Sequence, residues 1–253
     1  MNRIITTCLM ALLTIGSAMA TPPSPPPLTT WYWQLQGTVD TNRSATIYDI
    51  DLFSASEAMI AALKASGHTV ICYFSAGTYE NWRPDKAQFP AEALGRRNGW
   101  PGEKWLDTRN ATVRTIMAAR MDMAKSKGCS GLEPDNIDGY QNRTGFPLHE
   151  ADAVSYDTFL ATQAHARDLL VALKNSSDLA VKLVDKFDFA IAEECFRYKE
   201  CAAYSPFVTK SKAVLSAEYS AYSPTICTKA KTLKFSTVFY SLDLDGSVYK
   251  PCP

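Results

Sequence analysis

The chain has 253 residues, with 26 Lys and Arg residues against 26 Asp and Glu residues. This length suits one large domain, and the balanced charge argues against a nucleic-acid-binding protein, because phosphate backbones select strongly basic surfaces. A content of 21% charged and 11% aromatic residues is typical of a folded globular protein rather than a disordered one.

The N terminus has the pattern of an export signal. Arg3 precedes a mostly apolar stretch, and residues 17–20 (SAMA) offer small side chains for cleavage. We therefore expect residues 1–20 to be a signal peptide and residues 21–30, which contain five prolines, to be an extended tether without a packing role. Residues 31–253 would then form the functional domain of a secreted protein, extracellular or periplasmic. The apolar stretch is too short to anchor it, so no membrane contact is expected.

Six cysteines remain after Cys8 of the expected signal is removed. An even number in an exported protein favours disulfides over metal ligands. We pair Cys195 with Cys201, which are six positions apart, and Cys227 with Cys252, which bracket the last segment. Cys72 and Cys129 remain as the third pair. The alternative is that some of these thiols are buried and free.

Neither a metal site nor a cofactor is expected. The three histidines, His68, His149 and His165, lie far apart and lack the spacing of metal ligands. The chain also has no glycine loop with the pattern of a phosphate-binding site.

Eight short apolar runs recur along the chain, with helical segments between them. The runs cover residues 31–35, 46–50, 69–74, 131–134, 169–173, 187–192, 213–217 and 236–242. Most are continuously apolar, as in parallel strands that are buried on both faces. Because parallel strands need crossover connections, eight strands alternating with helices predict a single α/β domain, a (β/α)8 barrel of the TIM type.

Helix signals support this order. Residues 54–57 (SASE) match a capping box before the first helix, and Gly67 is placed to end that helix. The third strand is followed by a long loop, residues 78–110, which carries Trp82, Trp100 and Trp105. A loop of this length in a compact domain is usually functional, and this one should lie over the C-terminal face of the barrel.

Polar residues cluster where the predicted strands end, which is where barrels carry their reacting groups. Carboxylates and aromatic rings dominate, and such a set is typical of sugar-cleaving sites. One carboxyl group protonates the leaving oxygen, and a second attacks the anomeric carbon or activates water. The candidates are Asp49, Asp51, Tyr73, Glu133, Asp135, Asp138, Lys174, Glu193, Glu194, Glu218, Tyr240 and Asp243.

Seven segments, in order along most of the chain, resemble glycoside hydrolase family 114, the endo-α-1,4-polygalactosaminidase-like barrel enzymes. They are WYWQLQGTVD (31–40), YDIDLF (48–53), CYFSAGTYENWRPD (72–85), KWLDTR (104–109), GCSGLEPDNIDGY (128–140), ALKN (172–175) and AEECFRYKEC (192–201). The resemblance implies endo-acting, retaining hydrolysis of α-1,4-linked galactosamine polymers. The family's catalytic aspartate after strand 4 and glutamate after strand 6 correspond to Asp135 and Glu193.

Strand alternation is compatible with Asp135 and Glu193 as the catalytic residues but does not by itself identify them. Glu133 and Asp135 share one face of the fourth strand, and Asp135 is nearer the strand end. Glu193 and Glu194 point opposite ways, so only one of them can face the barrel axis. As the general acid, Glu193 is expected to have a raised pKa from burial and from the neighbouring carboxylate.

A second group of residues is expected to contact substrate. Asp51 could bind a substrate ammonium group through a charge-assisted hydrogen bond, or it could pair with Lys174 or an arginine instead. The aromatic members could stack on sugar, orient the carboxylates or simply pack in the core. The expected substrate-binding residues are Asp51, Trp33, Tyr73, Lys174, Glu218 and Tyr240.

The expected partner is thus a polysaccharide, the amino-sugar polymer, acted on by a monomer. Two alternatives stay open at this point. One is a glycosidase acting on another α-galactoside, and the other is a non-catalytic polysaccharide-binding barrel.

Overall fold

The computed structural model describes residues 22–253, so the expected signal peptide lies outside the described residues. Eight strands form the main sheet in chain order, and neighbouring strands are parallel. They are β1 (Trp31–Gln34), β2 (Ile47–Asp51), β3 (Thr69–Ser75), β4 (Gly131–Asp135), β5 (Leu170–Lys174), β6 (Phe189–Glu193), β7 (Val214–Glu218) and β8 (Ser236–Tyr240). The predicted (β/α)8 barrel is confirmed, with each strand at its predicted position.

Helices cover the outside of the sheet. They are α1 (Glu57–Ala65), α2 (Ala111–Lys127), α3 (Glu150–His165), α4 (Ala180–Leu183), α5 (Cys195–Tyr198), α6 (Ser205–Thr209) and α7 (Pro224–Leu233), with 3₁₀ turns at Lys86–Gln88, Ala91–Ala93, Gly139–Gln141, Ser177–Leu179 and Cys201–Tyr204. Strands β2, β5 and β7 are buried along their whole length, because helices cover one face and inward side chains fill the other.

Capping side chains fix where the helices begin. The Ser56 hydroxyl accepts from the Met59 amide at 3.1 Å, so α1 starts two residues later than a capping box at 54–57 predicts. Asn110 caps α2 by accepting from Thr112 at 2.8 Å. As predicted, Gly67 follows the end of α1, with φ of +88°.

The barrel closes between β8 and β1 largely through side chains. The Trp31 indole donates to the Ser236 carbonyl at 2.8 Å, and the Trp33 amide donates to the Tyr240 hydroxyl at 3.1 Å. A short terminal strand, Tyr249–Pro251, pairs antiparallel with β8. The expected role of Tyr240 in substrate binding is therefore corrected, because its hydroxyl serves barrel closure.

The long segment after β3 is not irregular. It forms a three-stranded antiparallel sheet from Thr78–Glu80, Leu94–Arg97 and Glu103–Leu106. Gly77, at its start, donates its amide to the Asp135 carbonyl at 3.0 Å. This short sheet therefore begins directly beside the end of β4.

Two arginines attach this segment to the barrel. Arg83 lies 2.7 Å from Asp51 at the end of β2 and 2.8 Å from Glu80. Arg120 of α2 is 1% exposed and lies 2.8 Å from Asp85. Because these pairs are buried, breaking one partner would leave a charge uncompensated.

The three predicted disulfides are confirmed. Cα–Cα distances are 6.1 Å for Cys72–Cys129, 4.8 Å for Cys195–Cys201 and 5.1 Å for Cys227–Cys252. The Cys195–Cys201 bridge closes the short loop directly after the end of β6. It therefore fixes the chain beside Glu193.

The proline-rich segment packs against the barrel. The Pro25 carbonyl accepts from the Ala213 amide at 2.8 Å, and the Ser24 hydroxyl donates to Asp188 at 3.1 Å. The expectation of a tether without a packing role is therefore wrong for the part described. None of the helices described for residues 22–253 combines the length and apolar character needed to cross a bilayer.

Candidate active site

A cavity of about 610 Å³ opens at the C-terminal ends of the strands, the end where barrels carry their reacting groups. Asp135, Lys174 and Glu193 form its floor, and the segment after β3 forms one wall. Trp82 and Trp100 stand at the rim, 52% and 48% exposed.

The Lys174 ammonium lies at the centre of the site. Its Nζ is 2.6 Å from Glu133 and 3.2 Å from each of Asp135 and Glu193. Burial lowers the pKa of Lys174, but the three carboxylates around it raise the pKa well above its usual range. Lys174 is therefore a permanent cation that holds three acidic groups together.

Asp135 is the carboxylate of β4 that the cavity exposes. Its side chain is 18% exposed, whereas that of Glu133 is 0% exposed. The Tyr73 hydroxyl donates to Oδ2 at 3.0 Å, and the Asn136 amide donates to Oδ1 at 2.7 Å. With Lys174, these donors hold the Asp135 carboxylate in one orientation.

Glu193 is the carboxylate of β6 that faces the cavity. The Asn175 side chain donates to Oε2 at 2.7 Å, and the Tyr219 hydroxyl donates to Oε1. Glu194 has left-handed backbone, with φ of +52°, and lies 2.6 Å from Arg197. The adjacent glutamates therefore point different ways, as strand alternation predicts.

The pKa of Glu193 differs from the expectation for a general acid. Burial raises it, but the Lys174 ammonium and hydrogen bonds from Tyr219 and Asn175 bring it below its usual range. The expected raised pKa is thus corrected for the free site. Nearby, burial and the charge of Asp135 raise the pKa of the cavity residue Asp138 to about 6.

The two cavity carboxylates are close together. Because Asp135 Oδ1 and Glu193 Oε2 each lie 3.2 Å from Lys174 Nζ, these two oxygens are no farther apart than twice 3.2 Å. Paired carboxyl groups of glycosidases lie about 5–9.5 Å apart across the retaining and inverting classes, so these two carboxylates are close enough to act on one glycosidic bond.

The chain turns sharply at the ends of the three central strands. Asn136, Asn175 and Glu194, which directly follow Asp135, Lys174 and Glu193, have φ of +60°, +50° and +52°. Left-handed backbone is costly for residues other than glycine and clusters at functional sites. Here it places the side chains of Asn136 and Asn175 on the cavity wall.

Gly77→Ala should disturb this turn. An alanine Cβ at position 77 would lie 1.7 Å from the Asn136 carbonyl oxygen, so the backbone beside Asp135 must move. We expect the free energy of unfolding to fall by about 1–3 kcal/mol or more, as measured by urea denaturation. In Gly139→Ala, the control, the nearest atom would be at 3.5 Å, and an equal loss there would contradict this account.

Three of the predicted substrate contacts line the cavity without being free to bind. Asp51 is 6% exposed and accepts from the Ser54 amide at 2.8 Å as well as pairing with Arg83. Trp33 is 1% exposed and lies under the Lys174 ammonium, 4.6 Å from its ring centroid. Tyr73 orients Asp135. These residues build the floor of the site and hold its charges.

The predicted role of Glu218 in substrate binding is also corrected, as that of Tyr240 was. It is 1% exposed, and its Oε1 accepts from the Phe196 amide at 3.0 Å, outside the barrel. The next residue, Tyr219, reaches the cavity instead. Since Ala217 is in register with Glu193, strand alternation places Tyr219 on the same inward face.

Sequence reasoning gave no role to Asn175, at the end of the fifth strand, and missed Glu103. The Asn175 side chain contacts Glu193. Glu103 lines the cavity, and its Oε2 accepts from Thr78 at 2.8 Å. Over residues 22–253, His, Cys, Asp and Glu side chains form no group of three or more suited to a metal ion.

The chain is similar to known glycoside hydrolases. The model of glycoside-hydrolase family GH114 matches residues 14–252. The crystal structure of Ega3 from Aspergillus fumigatus in complex with galactosamine is 40% identical, with a TM-score of 0.86 over 94% of this chain and 100% of Ega3. The glycoside hydrolase domain of PelA from Pseudomonas aeruginosa is 12% identical, with a TM-score of 0.69 over 87% of this chain and 97% of that domain, and supports the fold alone. A search of curated proteins gives no match.

Proposed function

Since the chain belongs to glycoside-hydrolase family GH114 and thus hydrolyses O-glycosyl bonds, we propose that its substrate is an α-1,4-linked galactosamine polymer, cleaved within the polymer chain and with retention of configuration. The observation that carries this proposal is the pair of cavity carboxylates, both held by Lys174. The galactosamine bound by the 40% identical Ega3 supports the sugar.

Asp135 acts as the nucleophile in this proposal. Its donors, Lys174, Tyr73 and the Asn136 amide, hold the carboxylate in place at the cavity. Attack on the anomeric carbon forms a glycosyl-enzyme and breaks the bond to the leaving oxygen. Glu193 gives that oxygen a proton and then takes a proton from the water that releases the sugar.

The cavity wall also suits a cationic polymer. Glu103, Asp138 and Asp243 add acidic side chains around the reacting pair, and carboxylates form charge-assisted hydrogen bonds with ammonium groups. Trp82 and Trp100 offer exposed ring faces at the rim for sugar units farther along the polymer. A binding surface that extends beyond the reacting pair supports endo action.

Tyr219→Phe should shift the pH dependence of the reaction. The Tyr219 hydroxyl stabilises anionic Glu193, so its loss raises the pKa of Glu193. A general acid with a higher pKa stays protonated to higher pH, and the basic limb of kcat/KM against pH should therefore move upward. A downward move would contradict the assignment of Glu193 as the acid. Tyr222→Phe, at a half-exposed ring on the following loop, is the control.

Defined α-1,4-galactosamine oligomers, read by mass spectrometry, test the function directly. We expect internal cleavage of free-amine oligomers and slower cleavage of fully N-acetylated ones, which lack the cation. Cleavage of neutral α-galactosides alone would contradict the amino-sugar substrate. Binding without any new reducing ends would contradict catalysis altogether.

Export as a monomer to an oxidising compartment, extracellular or periplasmic, belongs to the same proposal. Three disulfides support it, because such bonds persist outside the reducing cytosol. We expect the N-terminal sequence of the exported protein to begin at Thr21.

A further inference from the structure

Two carboxyl groups lie beneath the reacting pair and are completely buried. Asp49 of β2 and Glu133 of β4 are both 0% exposed, and strand register through β3 places both side chains on the inward face, where each acts on the other. Both oxygens of Asp49 and Oε2 of Glu133 have no donor. The remaining oxygen, Glu133 Oε1, accepts from Lys174 at 2.6 Å. Three buried carboxyl oxygens therefore need a hydrogen that their neighbours do not supply.

A single proton between the two groups meets this need. Adjacent buried carboxylates cannot both ionise at low cost, whereas a protonated carboxyl group becomes a donor to the other. Burial raises the pKa of Asp49 to about 7. Burial and the charge of Asp49 raise the pKa of Glu133 well above its usual range. The pair therefore carries a proton where ordinary carboxyl groups have lost theirs.

Resting on the roles proposed for Asp135 and Glu193, we propose that Asp49 is a positioning residue. It shares a proton with Glu133, and this hydrogen bond fixes Glu133 against Lys174, whose ammonium holds both reacting carboxylates. Lys174 contacts Glu133, Asp135 and Glu193 directly, and Asp49 acts on Glu133 from the neighbouring buried position. The charge on Glu133 then determines how strongly Lys174 stabilises anionic Glu193.

Groups on five strands or their ends face the buried pair, and the tyrosines and the lysine among them do not titrate near neutral pH. The tyrosines have pKa values well above 10 and stay neutral, and Lys174 stays charged. Besides Asp49 and Glu133 themselves, the facing groups are Tyr73, Asp135, Lys174, Tyr219 and Tyr240.

The shared proton can be tested without substrate. An unfolded Asp titrates near 3.9, whereas folding moves the pKa of Asp49 to about 7. The folded state therefore binds more protons between these values, and stability is lost as pH rises, about tenfold in the folding constant per pH unit. In Asp49→Asn, urea denaturation from pH 4 to 7 should show a slope that is shallower by one proton. An unchanged slope would overturn the shared proton.

Positioning is tested by two isosteric variants that leave the negative charge in different places. Asp49→Asn keeps it on Glu133, beside Lys174, so the ammonium stabilises anionic Glu193 less and the basic limb of kcat/KM moves to higher pH. Glu133→Gln keeps it on Asp49, farther from Lys174, and the limb moves to lower pH. We expect the two limbs to differ by about 1 pH unit or more. Coincident limbs would overturn positioning through Lys174.

Asp49→Leu removes the donor without enlarging the side chain greatly. Because Asp49→Leu should displace the reacting pair, we expect its kcat to fall by about 10²-fold with KM nearly unchanged. The kcat of Asp49→Asn should be at least about tenfold higher than that of Asp49→Leu. Equal kcat in Asp49→Leu and wild type would also overturn the proposal. If Asp49→Leu does not fold, the basic limbs of kcat/KM in Asp49→Asn and Glu133→Gln still test whether Asp49 acts through Lys174.

Asp157→Asn is the matched control. Asp157 of α3 is also 0% exposed with two oxygens that lack donors, and burial raises its pKa. Its replacement should change the slope of stability against pH but leave the kcat/KM limb in place. If wild type hydrolyses no galactosamine polymer, the proposed function fails, and the stability slopes still decide whether Asp49 and Glu133 share a proton.

Discussion

Asp135→Asn is expected to prevent formation of a glycosyl-enzyme and to lower kcat by more than the about 10²–10⁴-fold that acid–base assistance contributes. An amide is a poor nucleophile, but it keeps the shape of the site, because its oxygen can accept from the Asn136 amide while its NH2 group donates to the Tyr73 hydroxyl oxygen. Intact-protein mass spectrometry during turnover of an activated galactosaminide should show one added sugar on wild type and none on Asp135→Asn.

Adding azide to the Asp135→Gly variant tests whether Asp135 attacks the sugar itself or only orients other groups in the site. If Asp135 attacks the sugar, the small anion can take its place and yield a glycosyl azide of inverted configuration. Glu193→Gly with azide should instead give the retained azide, because the anion attacks the glycosyl-enzyme from the open side. A retained product from Asp135→Gly would contradict the assigned roles.

Lys174 gives the site its organisation. One ammonium contacts the proposed nucleophile Asp135, the proposed acid Glu193 and the buried Glu133, so its charge acts on all three at once. It favours the ionised form of Glu193 in the free site, which is the wrong protonation state for a general acid. The reaction should therefore run best at acidic pH, where the protonated fraction of Glu193 increases.

The fold could be predicted because its signals are local. Continuous apolar runs identified all eight strands, and the positions of the cysteines identified two disulfides, which left Cys72 and Cys129 as the third pair. The prediction that the proline-rich segment has no packing role was wrong, because proline content indicates an extended chain but does not indicate what that chain packs against. Ser24 and Pro25 pack on positions far away in sequence, Asp188 and Ala213.

The site could be predicted only in part because side-chain partners depend on register. Which of the two side chains, Glu218 or Tyr219, faces the cavity depends on how β7 pairs with β6, and the sequence does not specify that pairing. The pairing of Asp51 with Arg83 depends on how the segment after β3 folds back. The lowered pKa of Glu193 depends on Lys174, whose distance from it required the assembled barrel.

Glu193→Gln should lower kcat/KM by about 10²–10⁴-fold on polymer, because the leaving oxygen then departs without a proton. The loss should shrink on galactosaminides whose leaving group departs readily as an anion, so plots of rate against leaving-group pKa should steepen. Glu194→Gln is the adjacent control and should keep most activity, since Glu194 pairs with Arg197 at 2.6 Å. A dead Glu194→Gln with an active Glu193→Gln would assign the acid to Glu194. If both variants stay active, Asp138 becomes the candidate acid, because its pKa of about 6 gives it a larger protonated fraction at acidic pH than an ordinary aspartate has.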